Sequence, residues 1–183
     1  MGKVVVSEFL SLDGVMEDPQ WTFQFGHSED QLQFKAAELA ASDALLLGRR
    51  TYQGFAAAWP TMEGTGEYGE RMNSLPKYVA STTMREMEWN ARPISGDIAA
   101  AVSTLKQEIA GDILIFGSGD LVHTLVQADL IDEYRLMVFP IVVGSGKRLF
   151  PDGSPRKVFE HAETKTFGSG VVLLTYRPAP AAH

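Results

Sequence analysis

Residues 112–138 read DILIFGSGDLVHTLVQADLIDEYRLMV, and this one span holds a strand, a turn, a helix and a second strand. The apolar run Ile113–Phe116 is short and stops at a glycine, as a buried strand does. Gly117, Ser118 and Gly119 form the turn, after which Leu121, Leu125 and Val126 recur at helical spacing. A second strand is expected over 132–143. Strand, helix and strand in succession form the unit of a parallel sheet, because two neighbouring strands can run the same way only through a crossover.

The pattern extends outward. Val4–Leu10 reads as a first buried strand. Residues 11–28 have no clear period, carry Gly14, Pro19 and Gly26, and read as a long loop of the kind that often serves function. A helix is expected over 29–41, with Leu32, Ala36, Leu39 and Ala40 on its apolar side and acids in its first turn. Residues 44–48 form a strand, and Arg50–Trp59 a short helix stopped by Pro60. Residues 61–74 hold three glycines and look like a surface excursion. A strand follows at 77–82. A helix over 97–111 should face inward with Ile98, Val102, Leu105 and Ile109 and end at Gly111 as its C′ residue. Two last strands lie near 157–166 and 170–177, and the tail RPAPAAH is expected to fray. Helices alternate with strands early and strands dominate late. The expectation is one α/β domain over 1–183, with an ordered core of about 3–177 and a mainly parallel sheet finished by antiparallel C-terminal strands.

Composition narrows the function. The formal net charge of -7 argues against general affinity for nucleic acid, which needs a basic surface. The chain has no cysteine, so disulfides, thiolate zinc sites and a cysteine nucleophile are excluded. The four histidines are scattered and no cluster has metal-ligand spacing. The N-terminus is too charged and its apolar stretch too short for a signal peptide, and no run is long enough to span a membrane. These features suit a cytoplasmic protein acting on a small molecule.

Three strand ends share a chemistry: Gly48-Arg49-Arg50-Thr51, Ser81-Thr82-Thr83, and Gly117-Ser118-Gly119-Asp120-Leu121. Glycines admit close approach, helix starts attract anions, and arginine grips phosphate with two parallel bonds. Each turn alone is equally an ordinary turn with hydroxyl caps. Three on one sheet edge suit a ligand with several phosphates, such as a dinucleotide. The Rossmann and P-loop fingerprints both fail: GSGDLV has valine at the third glycine position, and GSGKRL has arginine after its lysine.

The ordered set SLDG, LLLGRRTY, KYVAST, ILIFGSGDLVHTLVQADLIDEY and PIVVGSGKRLF resembles the dihydrofolate-reductase-like superfamily over roughly residues 3–177. More closely, it resembles stand-alone relatives of the C-terminal reductase domain of the bifunctional riboflavin-biosynthesis protein. The resemblance implies a three-layer fold and an NADPH-dependent reductase. Gly48, Arg49, Arg50 and Thr51 would take cofactor phosphates, and Ser81 and Thr82 would lie by the adenosine ribose and its 2′-phosphate. Gly117, Ser118, Gly119, Asp120 and Leu121 would wrap the pyrophosphate. The loop SLDGVM, with Asp13, Gly14 and Met16, would close over the nicotinamide. The zinc deaminase partner of the riboflavin protein has no counterpart here, because its cysteine ligands are missing.

The dihydrofolate reductases carry an acid on the first helix, which makes Asp30 a catalytic candidate; at a helix start it also simply favours the dipole. Asp13 is a second catalytic candidate, or a turn builder. Phe9 and Trp21 are the aromatic candidates for the substrate, with Trp21, Phe23 and Phe25 forming either a stacking lid or ordinary packing. Lys147 and Arg148 read as a basic corner or a phosphate site, and His123 as a partly buried histidine. Two functions stay open: a reductase of a pterin or ribosylaminopyrimidine-like substrate, resembling 5-amino-6-(5-phosphoribosylamino)uracil reductase, and a catalytically silent nucleotide-binding module. The late apolar strands offer a face for a homodimer.

Overall fold

A computed structural model describes residues 1–180. The strands are β1 (Val4–Leu10), β2 (Ser42–Gly48), β3 (Lys77–Ala80), β4 (Ala91–Ile94), β5 (Asp112–Phe116), β6 (Glu133–Val138), β7 (Phe159–Thr166) and β8 (Val172–Pro178). The helices are α1 (Glu29–Ala40), α2 (Arg49–Ala58), α3 (Gly66–Ser74), α4 (Ile98–Glu108) and α5 (Gly119–Gln127). All eight strands join one sheet in the order β4-β3-β2-β5-β1-β6-β8-β7. Neighbours from β4 to β6 are parallel, and β8 runs antiparallel to both β6 and β7.

The alternation of side chains along β1 explains the three layers. Val4 and Val6 pack with Leu46, Ile113 and Ile115 against Val102 of α4 and Leu121, Val122 and Leu125 of α5. Val5 points the other way, with Leu45, Leu47 and Leu114, against Leu39 of α1, Tyr52 of α2 and Met72 of α3. A sheet buried on both faces needs apolar residues at every position, which is why these strands read as unbroken apolar runs. The mainly parallel sheet with antiparallel C-terminal strands is therefore as expected.

Several boundaries differ. α1 buries only Leu39 of its expected apolar stripe: Leu32 is 54% exposed, and Ala36 and Ala40 are exposed too. The polar Gln31 and Glu38 are buried beside Leu39. The cause is a charged patch on the sheet beneath it. Ser7 of β1 and Arg135 of β6 face each other. Lys35 Nζ donates to Ser7 Oγ at 2.9 Å and to Glu38 Oε2, while Arg135 donates to Glu38 Oε1 at 3.4 Å, Glu133 Oε1 at 2.7 Å and Asp112 Oδ2 at 3.3 Å.

The supposed excursion at 61–74 contains α3; the carbonyls of Asn73 in its last turn and of Leu75 just beyond it accept from the buried Lys77 Nζ at 3.0 and 2.8 Å. β4 was not expected; it is a four-residue edge strand, where Pro93 is tolerated. Pro60 sits inside a 3₁₀ turn, Trp59–Thr61, that continues α2, and another 3₁₀ segment, Pro19–Phe25, occupies the long loop. α4 ends at Glu108 because Ile109 is extended, so Gly111 is not its C′ residue and donates instead to Asp43 Oδ2 at 2.8 Å. β6 stops at Val138. The tail continues β8 through Pro178, and Ala179 N–H bonds Val158 O at 2.9 Å; residues 181–183 of the expected fraying lie outside the described residues.

Glu38 is fully buried at its side chain and shared by two cations. Glu38→Ala should leave both without their common partner and cost about 3–5 kcal/mol in urea denaturation. A loss below about 1 kcal/mol, the usual worth of an exposed pair, would show the network to be peripheral.

Candidate functional site

The site is built where β2, ending in Gly48, and β5, followed at once by Gly117, lie side by side in the sheet. Gly48 N–H donates to Ser118 Oγ at 2.9 Å, and Ser118 N–H donates to Thr51 Oγ1 at 3.0 Å. Ser118 Oγ in turn donates to Phe116 O at 2.9 Å. Gly117 and Ser118 are both left-handed, at φ 54° and 60°. A Cβ at Gly117 would lie 2.9 Å from Thr51 Oγ1, so the turn requires glycine there on both counts. The starts of α2 and α5 are thereby fastened together. Neither helix has a side-chain cap on its first-turn amides.

The third turn is reached through Arg49, whose guanidinium donates to Thr83 Oγ1 at 3.4 Å. Ser81 is buried and its Oγ accepts from the N–H groups of Thr83 and Met84 at 3.3 and 3.0 Å. Thr82, Arg49 and Arg50 are exposed. Leu121 belongs to the core beneath the turn. Asp120 is exposed and accepts from Lys147 Nζ at 2.7 Å; that ammonium holds its carboxyl below the usual range.

The SLDG loop is fastened to the GSGKR loop along its length. Asp13 accepts from Ser11 Oγ at 2.6 Å and from the N–H groups of Val143 and Gly144 at 3.1 and 2.8 Å. These donors, led by the Ser11 hydroxyl, lower its carboxyl to about 2. Met16 N–H bonds Lys147 O at 2.9 Å, Leu149 N–H bonds Gly14 O at 3.2 Å, and Lys147 N–H bonds Glu17 Oε2 at 2.9 Å. Both loops then reach the glycine turn, since a Cβ on Gly119 would lie 2.8 Å from Lys147 Cδ and 3.4 Å from Met16 Sδ. Arg148 donates to Asp13 O at 3.0 Å, and His123 Nε2 contacts the carbonyls of Arg148 and Leu149.

Gly14, Met16, Gly48, Thr51, Gly117, Ser118 and Gly119 are thus joined in one contiguous cluster, with Met16 and Ser118 buried in it. Asp30 stands apart: its carboxylate accepts from Gln31 N–H at 3.0 Å and Gly168 N–H at 3.3 Å, tying α1 to the β7–β8 hairpin. Phe9 and Trp21 pack edge-on against Phe139, with centroids 5.4 and 5.7 Å away, and Phe25 joins them. Phe23 is exposed. A cleft of about 580 Å³ between α1 and strands β6–β8, lined by Glu38, Arg135, Glu163 and Thr175, holds none of the sequence candidates.

Glu8 was missed. It lies on β1, is 4% exposed, and accepts from Gly117 N–H through Oε2 at 3.1 Å. Among the described residues its Oε1 has no hydrogen-bond partner. Burial raises its carboxyl well above the usual carboxylate range, opposed by the Gly117 N–H and Lys35 and assisted by Glu38. A glutamate within VVVSEFL was the available signal, since a strand buried on both faces has no place for a free charge.

Two outcomes follow for these acids. Asp13→Asn should speed hydrogen exchange at the Val143 and Gly144 amides, read by NMR; unchanged exchange would show the loops to be held without it. The unfolded chain releases the Glu8 proton near 4.5, whereas the fold retains it to higher pH. Stability should therefore fall as pH rises from about 4.5 through the raised value, and Glu8→Gln should lack that part of the slope in denaturant titrations.

Residues 2–173 match the model of the RibD C-terminal domain family. The uncharacterized protein YyaP of Bacillus subtilis (strain 168) is 30% identical over 177 residues, covering 95% of this chain and 94% of that protein. Solved structures share the fold, among them the following two. The "Putative riboflavin biosynthesis protein" of Shewanella sp. PV-4 has a TM-score of 0.80 at 22% identity, over 98% of this chain and all of that one. Dihydrofolate reductase from Enterococcus faecalis, complexed with NADP(H) and RAB-propyl, has a TM-score of 0.65 at 15% identity, over 98% of both chains. With its sheet order, its joined glycine turns and a family match over nearly its whole length, this chain belongs to the RibD C-terminal domain family and shares its fold with dihydrofolate reductase.

Proposed function

We propose that this protein is an NADPH-dependent reductase that passes a hydride to a small heterocyclic substrate of the pterin or ribosylaminopyrimidine kind. The observation that carries the reading is the pair of uncapped helix starts, α2 and α5, fastened side by side through Ser118. Each leaves first-turn N–H groups for an anion, and two adjacent sets suit a diphosphate. A protein of the same fold was solved with NADP(H).

In this reading Thr51 and Gly119 present first-turn amides to the diphosphate, while Gly48, Gly117 and Ser118, whose amides are bonded within the protein, shape the backbone it lies against. Arg49 and Arg50, exposed at the first turn of α2, take the 2′-phosphate together with Ser81 and Thr82. Asp120 and Leu121 set the start of α5, one by its ion pair with Lys147 and one by its anchorage in the core. Gly14 and Met16 lie in the lid that keeps water out, and Asp13 serves as the brace of that lid. NADPH supplies the hydride. Phe9 and Trp21 form the apolar wall for the substrate ring, and Asp30 fixes the start of α1. The engagement of Asp13 and Asp30 as acceptors favours a second reading, a nucleotide-binding module without turnover; NADPH oxidation with a panel of pterins and ribosylaminopyrimidines separates the two. No helix among the described residues is long and apolar enough to cross a membrane. We place the protein in the cytoplasm, and sedimentation tests the homodimer.

NADPH should quench tryptophan fluorescence more strongly than NADH at equal concentration. Replacing both arginines, Arg49→Ala with Arg50→Ala, should weaken NADPH by roughly tenfold or more while NADH changes little, because charge-assisted bonds to the extra phosphate are lost. Equal losses would remove the 2′-phosphate role, and no binding of either nucleotide would sink the reading.

A further inference from the structure

Lys147 lies against the glycine turn and has no task there in the scheme above. Its main chain is fixed to the SLDG loop on both sides: its N–H donates to Glu17 Oε2 at 2.9 Å, and its carbonyl accepts from Met16 N–H at 2.9 Å. Gly146, just before it, is left-handed at φ 125°, and a Cβ there would lie 2.9 Å from Val15 Cγ1, so the two loops come this close only with glycine. The lysine stem then runs over the start of α5, with its Cδ 2.8 Å from where a Gly119 Cβ would stand. Its Nζ ends on Asp120 Oδ1 at 2.7 Å.

The ion pair is lopsided. The Asp120 side chain is 83% exposed and the Lys147 side chain 32%. The ammonium is thus carried on a covered stem and a braced backbone, whereas the carboxylate stands in solvent. An exposed pair of this kind adds little stability, so parting it costs little. Beneath it, α5 makes its first backbone bond from Val122 N–H to Ser118 O at 2.9 Å. The amides of Gly119, Asp120 and Leu121 come before that bond and have no side-chain cap. An anion drawn to these amides meets two charges of opposite sign. The Asp120 carboxylate repels it and the Lys147 ammonium attracts it, and the two offset each other for as long as they are paired.

We propose that Lys147 is a diphosphate ligand carried by the loop after β6, held by Asp120 until a nucleotide binds and then transferred to the diphosphate. This rests on the reductase reading, and it deepens that reading by naming a cation for a diphosphate otherwise met by helix amides. The exchange turns only the end of one side chain, because the Lys147 backbone stays bonded to Glu17 and Met16. It also ties the nucleotide to the SLDG loop, since both hold the same residue. NADPH and NADH share the diphosphate, so this contact is separate from the 2′-phosphate preference assigned to Arg49 and Arg50.

Calorimetric titration of NADPH and of NADH into the full chain tests this. Lys147→Met keeps the stem over Gly119 and removes the charge; it should weaken both nucleotides by a similar factor, roughly tenfold. Lys147→Arg should restore most of that loss. Asp120→Asn frees the ammonium and removes the repelling carboxylate, so it should tighten both nucleotides, by roughly threefold. Opposite signs are the mark of exchange: a pair that merely braces the loops is harmed from either side, and both substitutions would then weaken binding. Thermal melts establish that each variant is folded, and Lys147→Gln takes the place of the methionine variant should that one fail to fold. If the wild type binds but Lys147→Met has no effect, or Asp120→Asn does not tighten binding, the proposal fails and the reductase reading stands. A loss confined to NADPH would move Lys147 to the 2′-phosphate and likewise overturn the proposal. If neither nucleotide binds the wild type, the reductase reading itself fails and this proposal goes with it.

Discussion

The Ser118 hydroxyl is the fastening on which the upper edge of the sheet depends. It accepts from Gly48 at the end of one strand and donates to Phe116 at the end of the next, while the Ser118 amide is held by Thr51 on α2. Two strand ends and two helix starts thus share one residue. A serine in a left-handed conformation is disfavoured on its own; here three hydrogen bonds hold it. With the junction fastened, the first-turn amides of α2 and α5 keep their mutual direction, which is the pre-arrangement the proposed diphosphate site requires.

The rest of the site hangs on that junction through the two loops. Asp13 ties SLDG to residues 143 and 144, and the paired loops then bring Met16 and Lys147 against Gly119. The low titration of Asp13 follows from the same donors that let it brace the loops. A carboxylate so engaged is suited to holding structure, and an acid that keeps its proton must be sought elsewhere. Glu8 has the opposite environment, enclosed and short of donors. Two acids five residues apart in the chain are thereby driven to opposite protonation behaviour by their surroundings.

Membership of the RibD C-terminal domain family sets the architecture, and the fold it shares with dihydrofolate reductase is compatible with many substrates. Within that fold, three side-chain details shape this chain: the charged patch under α1, the Glu8–Gly117 bond, and the basic pair at the start of α2. Of these, the basic pair was visible as a sequence motif, because arginines following a strand-ending glycine form a local pattern. The other two were not. α1 looked amphipathic through Leu32, Ala36, Leu39 and Ala40, yet three of those four residues are exposed. Apolar spacing assumes that what a helix buries is apolar, and Glu38 is buried by ion pairing with Arg135, 97 positions away.

By itself the sequence determined the sheet, apart from its edge strand β4, and its glycine turns. Strand runs, helical periods and chain-reversing glycines are local properties, written within a few residues of one another, and their order leaves few ways to stack the layers. Only the tertiary structure decided which turns touch, which acid keeps its proton, and which charges share a partner. Those depend on distance and dielectric between residues remote in sequence, quantities that exist only after the chain has folded.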